Sequence, residues 1–423
     1  MKIVSEKSVL RGEVLIPTSK SHTIRAVTLS TLAQGKSIIR HPLLSSDCLA
    51  AVGAGRHFGA KVSLGDVWEV EGVNGAPRVP ENVVDVKNSG TTFYFFMGTA
   101  ALAKGATVLT GDEQIVKRPA QPLITALSDL GAEVFSTRNN GLPPVVVKGP
   151  AKGGKTRFGG LVSQYVSSLL INCPLMEKDS ELEVFDVLEK PYVQMTLHWL
   201  DRYGIRYKAS GDFAHFIIYG GQSYRGLDVT VPGDFSSGTF FLVAGSIGEA
   251  DITLLGLDMN DVQGDKKIVM YLQEMGARIS QEKGRIRVQG GALKGREFDL
   301  GDTPDALPAM AVAGCFAEGK TILRNAANAR LKETDRIAVM AKELSTLGAK
   351  VEELPDGLVI HRSELRGRAV RGYGDHRVVM ALAVAGTAIP GRIEVDGAEA
   401  VQATVPNFLE LMKGIGAKIW REE

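Results

Sequence analysis

The chain has 423 residues, too many for one ordinary core and suited to two domains of roughly 200 residues each. Apolar residues make up 44% and charged residues 23%, a globular composition that excludes a disordered or fibrous chain. The 49 basic and 48 acidic side chains nearly cancel, so no overall field draws the protein to nucleic acid or an anionic membrane, and any anion site must be a local cluster.

From the amino terminus, Met1 to Leu10 alternates charged and apolar residues and lacks the apolar stretch of a signal peptide. No segment reaches the roughly 18 apolar residues of a membrane span. A cytoplasmic protein is therefore expected, with no membrane partner. Cys48, Cys173 and Cys315 are widely spaced and outside any C-x-x-C pair, so they read as buried free thiols and no metal site is expected.

The segment from Glu13 reads as a strand, Pro17 and a small-residue turn, Thr18 to Ser21, opening an apolar helix. LAQGKSIIR from Leu32 reads as helix end, loop and strand, and FGAKV from Phe58 as helix end, glycine and strand. The phrases then return in order. A turn at Asn88 to Thr91 precedes LAKGATVLT from Leu102 and LGAEV from Leu130; a turn at Val162 to Gln164 precedes YGIRY from Tyr203. Turns at Asp234 to Ser237, Thr303 to Asp305 and Gly374 to Arg377 lead to MGARI from Met275, LGAKV from Leu347 and IGAKI from Ile415, with FAEGKTILR from Phe316 between the second turn and its glycine.

The glycines of these phrases, Gly59, Gly131, Gly204, Gly276, Gly348 and Gly416, recur at intervals of 68 to 73 residues. That is one unit repeated six times. Each glycine follows a helical stripe such as Ile124, Leu127 and Leu130, which places it in a left-handed helix cap before a strand. Each repeat therefore carries two helices and several strands, and an α/β fold with three repeats per domain is the simplest division. The segments beginning at Glu13 and Asp228 also resemble each other, with Pro17 and Pro232 215 residues apart.

The six turns place six helix amino-termini at one point of the repeat. Free N–H groups and the helix dipole make such termini suited to anions. In a pseudo-symmetric array they share a face, so a cleft between the halves is expected to be lined by several of them and to bind anionic ligands.

Charged residues gather at these turns. Lys20, Ser21 and Arg25 lie at the first, and Lys117 and Arg118 form a cationic pair ahead of Pro119. Asp305 stands at a strand-to-helix turn, where by itself it reads as a helix cap. The string NAANARLKETDR from Asn325 places Lys332 and Arg336 four apart, which predicts one helical face, with Glu333 and Asp335 nearby. Tyr373 to Arg377 sets Asp375, His376 and Arg377 ahead of an apolar helix.

The strings PTSKSHTIR, NSGTT, KRP, SQY, KPY, VPGDFSS, PDA, NARLKETDR and GDHR resemble, in order and spacing over essentially the whole chain, the 5-enolpyruvylshikimate-3-phosphate synthase family of enolpyruvyl transferases. The resemblance implies two domains, each an inside-out α/β barrel of three repeats, with residues 1–15 and 231–423 in one and 16–230 in the other, and an active site in the cleft between them. It implies that the enolpyruvyl group of phosphoenolpyruvate passes to a hydroxyl of a small acceptor with release of phosphate, with no metal or organic cofactor. Asp305 would be the base toward the acceptor hydroxyl, while Glu333 and Lys20 would serve proton transfer at C3. Lys20, Asn88, Gly90, Arg118, Gln164, Arg336 and Arg377 would hold phosphoenolpyruvate. Lys20, Ser21, Arg25, Ser163, Gln164, Tyr192, Asp305, Asn328 and Lys332 would hold the acceptor, with His376 in support.

The departures from the family pattern are local. Val162 and Glu189 stand where the family usually has serines that hold the acceptor's phosphate, Tyr94 where it commonly has Arg, and Ala403 where it has Lys. Shikimate 3-phosphate is the first expectation for the acceptor, and a different cyclic polyol, with or without a phosphate, is the alternative. No Cys lies between Gly111 and Pro119, which argues against the related UDP-N-acetylglucosamine enolpyruvyl transferases. An RNA 3′-phosphate cyclase-like protein and a non-catalytic binding module are further readings; neutral net charge and the LKETDR and GDHR strings speak against the first. The sequence carries no signal for oligomerisation, and a monomer is compatible with it.

Overall fold

Each glycine-marked repeat is a strand–helix–strand–helix–strand–strand module in the computed structural model, which describes residues 1–423. All six glycines have positive φ, at 106°, 99°, 67°, 98°, 102° and 93° in chain order, a conformation that costs glycine little. The twelve helices run in pairs: α1 (Lys20–Leu32) and α2 (Ser46–His57), α3 (Gly90–Ala100) and α4 (Gln121–Asp129), α5 (Ser163–Asn172) and α6 (Lys190–Arg202). The second half adds α7 (Phe235–Ile247) and α8 (Lys267–Glu274), α9 (Leu307–Phe316) and α10 (Arg336–Thr346), α11 (His376–Gly386) and α12 (Phe408–Gly414).

Six four-stranded sheets accompany them, one per repeat. In the repeat of α5 and α6, Lys155–Gly159 pairs parallel with Ser180–Phe185 across α5, and His215–Ile218 and Tyr207–Ala209 complete the sheet antiparallel. A parallel pair needs a crossover of this kind, whereas the last two strands need only a tight turn. The same order holds in the other five.

The chain divides into a continuous unit, Lys20–Val231, and a discontinuous one, Met1–Ser19 with Pro232–Glu423. The crossings fall slightly later than the expected boundaries at 15/16 and 230/231, because Ile16 donates its N–H to Leu255 O at 3.0 Å and Thr18 bridges to Gly233. Lys2–Glu6 lies between Arg392–Asp396 and Lys418–Glu422, and Val9–Leu15 pairs parallel with Glu249–Leu255. The last strand of the sixth repeat thus comes from the amino terminus.

The first helix of each pair is buried nearly all round, as the apolar runs FFLVAG in α7, AMAVAG in α9 and VVMALAVAG in α11 dictate. In the discontinuous unit these three pack on one another. The second helices are amphipathic; α10 turns Ile337, Met340 and Leu344 inward. A fully buried Leu, Ile or Phe contributes about 1.5–3 kcal/mol against about 0–1 kcal/mol for an exposed ion pair, so burial of the central helices holds each unit together.

Candidate active site

In the discontinuous unit, the starts of α9, α10 and α11 converge on one knot of charge. Arg336 opens α10, is 1% exposed, and donates to three carboxylates: Nε to Asp375 Oδ2 at 2.7 Å, Nη1 to Asp305 Oδ1 at 2.7 Å and Nη2 to Glu333 Oε2 at 2.6 Å. Asp375 is the N-cap of α11 and also accepts the N–H of Arg377 at 2.8 Å.

Asp305 sits in the short 3₁₀ turn Pro304–Ala306. Its second oxygen lies 2.9 Å from Arg377 Nη2, and Lys332 Nζ is 4.0 Å from Oδ1. Burial works against this carboxylate, but Arg377, Lys332 and Arg336 together hold its pKa well below the usual range. Burial likewise works against the Arg336 charge and is outweighed by Asp375, Glu333 and Asp305, which keep the guanidinium protonated.

Lys332 and Arg336 do not share a helical face as their spacing predicted. Residues Ala327–Leu331 form a 3₁₀ turn, Lys332 ends it in a non-helical conformation, and α10 begins only at Arg336, capped by Asp335 through Ala338 N. The two cations approach Asp305 from separate elements. Asn328, in that turn, is 3% exposed, and neither side-chain polar atom has a hydrogen-bond partner. Orphaned buried amide atoms cost about 1–3 kcal/mol each and mark a place where a polar ligand repays them.

In the continuous unit, Lys20 opens α1 and its Nζ lies 3.0 Å from Asp47 Oδ2 in the first turn of α2. The Asp47 carbonyl in turn accepts from Thr92 of α3 at 3.5 Å. Arg118 lies over the start of α3. Its Nη1 is 2.3 Å from where a β-carbon on Gly90 would stand, so only glycine admits the guanidinium there. Asn88 donates its amide to Asp112 Oδ2 at 2.6 Å and Gln114 Oε1 at 2.8 Å. Gln164 Oε1, in the first turn of α5, is buried without a hydrogen-bond partner.

The start of α5 has an unusual cap. Val162 at the N-cap has no side-chain acceptor, and Glu189 supplies one from the start of α6, accepting from Ser163 N at 3.2 Å and Ser163 Oγ at 2.7 Å. Glu189 is 1% exposed and holds this place in a left-handed backbone conformation, φ 54°. Arg25, by contrast, braces helices: it donates to Ser21 O at 3.1 Å, Tyr192 O at 2.9 Å, Thr196 Oγ1 at 2.9 Å and Ser167 Oγ at 3.4 Å. Burial lowers its pKa to about 9, with Tyr192 acting the other way, which leaves it charged at neutral pH.

The model of the EPSP synthase (3-phosphoshikimate 1-carboxyvinyltransferase) family matches residues 4–412. The chain is 53% identical over 420 residues to the 3-phosphoshikimate 1-carboxyvinyltransferase of Acetivibrio thermocellus, covering 99% of each chain. The chain belongs to the EPSP synthase family.

A second relative of that name, from Ruminiclostridium cellulolyticum, is 51% identical over 98% of each chain. The solved EPSP synthase of Acinetobacter baumannii superposes with a TM-score of 0.83 at 26% identity, covering 100% of both chains. Of the residues expected from the EPSP synthase pattern, Asp305, Glu333, Arg336, Arg377, Lys332, Asn328 and His376 fall in the discontinuous unit, the first five in direct charge contact. Lys20, Ser21, Arg25, Asn88, Gly90, Arg118, Ser163, Gln164 and Tyr192 fall in the continuous one. Two anchors were given no role in the sequence. Asp47 pairs with Lys20 across 27 residues and carries no local signal beyond an ordinary helix start. Asp375 was visible only as part of a string, although it caps α11 as Asp234 caps α7, an equivalence that the repeats alone expose.

Proposed function

We propose that the protein transfers the enolpyruvyl group of phosphoenolpyruvate to a hydroxyl of shikimate 3-phosphate. A bond forms between the acceptor oxygen and C2 as C3 takes a proton; C3 then returns a proton as the C2–O bond breaks and phosphate leaves. The observation that carries this reading is Asp305, fixed among Arg336, Arg377 and Lys332 in a chain that the EPSP synthase family model matches from residue 4 to residue 412.

Asp305 is the base toward the acceptor hydroxyl, and Glu333 and Lys20 handle the proton at C3. Lys20, Asn88, Gly90, Arg118, Gln164, Arg336 and Arg377 take the phosphate and carboxylate of phosphoenolpyruvate, for which guanidinium forks are suited. Ser21, Ser163, Tyr192, Asn328 and Lys332 serve the acceptor, Arg25 through the helices it braces, with His376 in support. A carboxylate held so far below its usual pKa is a weak base. Donor anions that engage Arg336 and Arg377 offset the positive field on Asp305 and raise its basicity when the substrates are present.

Glu189 favours attention to a second acceptor class, because its carboxylate occupies the Ser163 hydroxyl and N–H at the position where the family pattern holds a phosphate. The names of the full-length relatives support shikimate 3-phosphate. No helix is long and apolar enough to cross a membrane, in keeping with a cytoplasmic enzyme. The test is phosphate release from phosphoenolpyruvate with shikimate 3-phosphate, with shikimate and with other cyclic polyols. Turnover with shikimate 3-phosphate at a kcat/KM of about 10⁴ M⁻¹s⁻¹ or above is expected, and release with none of them overturns the reading.

A further inference from the structure

Two phenol hydroxyls in the continuous unit meet on one carbonyl oxygen. Tyr94 of α3 donates to Pro119 O at 2.8 Å, and Tyr165 of α5 donates to the same oxygen at 2.6 Å. Both residues are buried, and their rings meet edge to face, with centroids 5.0 Å apart and planes at 88°. Burial pushes the Tyr94 hydroxyl up to about 12, with Arg118 pulling the other way, and burial raises Tyr165 further. Both are therefore neutral at working pH and remain donors. A carbonyl oxygen has two lone pairs, so these two bonds saturate it.

The carbonyl so held belongs to the Pro119–Ala120 peptide, one residue beyond Arg118. Arg118 has an extended backbone, φ −77° and ψ 134°, and donates its N–H to Ile115 O at 3.0 Å. Pro119 has a restricted φ and no N–H of its own. With the preceding turn tied to Ile115 and the following carbonyl tied to two helices, the direction in which the Arg118 side chain leaves the backbone is set. That direction takes its guanidinium over Gly90 at the start of α3. Tyr94 is attached to the same helix one turn later, so the start of α3 and the Arg118 loop are held in register by a single side chain.

We propose that Tyr94 and Tyr165 are positioning residues for the donor substrate: through Pro119 O they aim the Arg118 guanidinium at the anionic end of phosphoenolpyruvate. This rests on the reading that Arg118 binds that anion. It also assigns a role to Tyr94, which stands where the family commonly carries a cation: a neutral donor there orients the neighbouring cation in place of supplying a second one.

Tyr94→Phe, Tyr165→Phe and the double change keep the packed rings and remove only the oxygens. Because either hydroxyl alone can hold the carbonyl, each single change is expected to raise KM for phosphoenolpyruvate by about threefold or less, and the double change by about thirtyfold, the loss of two ordinary hydrogen bonds. KM for the acceptor should stay within about twofold, a split that a general loss of packing does not produce. In an Arg118→Ala background the same double change should have no further effect on phosphoenolpyruvate, since the group being aimed is gone. Parallel rises in both KM values, no rise in either, or an undiminished effect without Arg118 overturns the proposal. Phosphate release by the unmodified protein tests the underlying reading separately, because neither tyrosine is altered.

Discussion

Asp375 grips Arg336 along one edge of its guanidinium, Oδ2 accepting from Nε at 2.7 Å and Oδ1 from Nη2 at 3.3 Å. The pair is buried on both sides, with side-chain exposures of 0% and 1%. Removing one member of a buried pair strands the other. Asp375→Ala, which also removes the α11 cap, should lower stability by about 3 kcal/mol in urea unfolding. Asp375→Asn, which keeps one acceptor oxygen, should cost distinctly less. Equal losses in the two variants would show that the charge, and not the cap, is all that matters.

Asp305→Asn is expected to lower kcat by about 10²-fold or more while leaving the dissociation constant for phosphoenolpyruvate within a few-fold. Single-turnover and equilibrium binding measurements separate the two quantities. Near-normal turnover removes Asp305 from the mechanism.

The same substitution has a pH signature. Asp305 is depressed in the folded state, so its ionisation adds stability that is complete above the unfolded carboxylate pKa of about 3.9. That contribution is lost as pH falls from there toward the native value. The stability advantage of the unmodified protein over Asp305→Asn should be flat from neutral pH down to about 4 and shrink below it. An advantage that grew on acidification would contradict the geometry around Arg377 and Arg336.

Gly90→Ala should leave stability intact, since alanine is the better helix former, yet its β-carbon would stand 2.3 Å from Arg118 Nη1. The guanidinium must move. We expect KM for phosphoenolpyruvate to rise by about tenfold, the scale of one hydrogen bond to a charged group, with the acceptor KM unchanged. An unaltered KM would mean that Arg118 finds the donor from another rotamer.

Glu189→Ser combined with Val162→Ser should lower KM for shikimate 3-phosphate by about tenfold, again the scale of one such hydrogen bond. It replaces a carboxylate at the α5 start by hydroxyl groups and restores a local cap through residue 162. Binding of phosphoenolpyruvate should not change. A raised acceptor KM would show that Glu189 orients Ser163 productively and does not compete with the substrate.

The repeats made the fold legible because each one ends a helix on a glycine whose φ only glycine readily adopts, and six such positions leave a period that no other residue type needs. The site was legible where charge clusters within a few residues, as around Lys332 and Arg336, but their arrangement was not. The spacing of four suggested a continuous helix, whereas the 3₁₀ turn Ala327–Leu331 delays α10 until Arg336. Asp47, Tyr165 and the bond made by Tyr94, itself visible only as a departure, escaped for a different reason. Their partners lie 25 to 46 residues away, and tertiary packing alone brings them together. Glu189 was visible as a departure; that it caps α5 was not, because a left-handed backbone at a glutamate has no sequence signal.

The place of Lys2–Glu6 between Arg392–Asp396 and Lys418–Glu422 orders the protein's biogenesis. A ribosome delivers this strand well before either of its neighbours. The continuous unit has all its strands once Val231 has emerged, while the amino-terminal strand waits for some 190 further residues, about 10 to 40 s at ordinary elongation rates. Throughout that interval its backbone donors and acceptors face solvent or a chaperone. The nascent chain should accordingly acquire protease resistance in two stages, with the segment from residue 20 to 231 protected first and residues 1–19 protected only after Lys418–Glu422 has emerged.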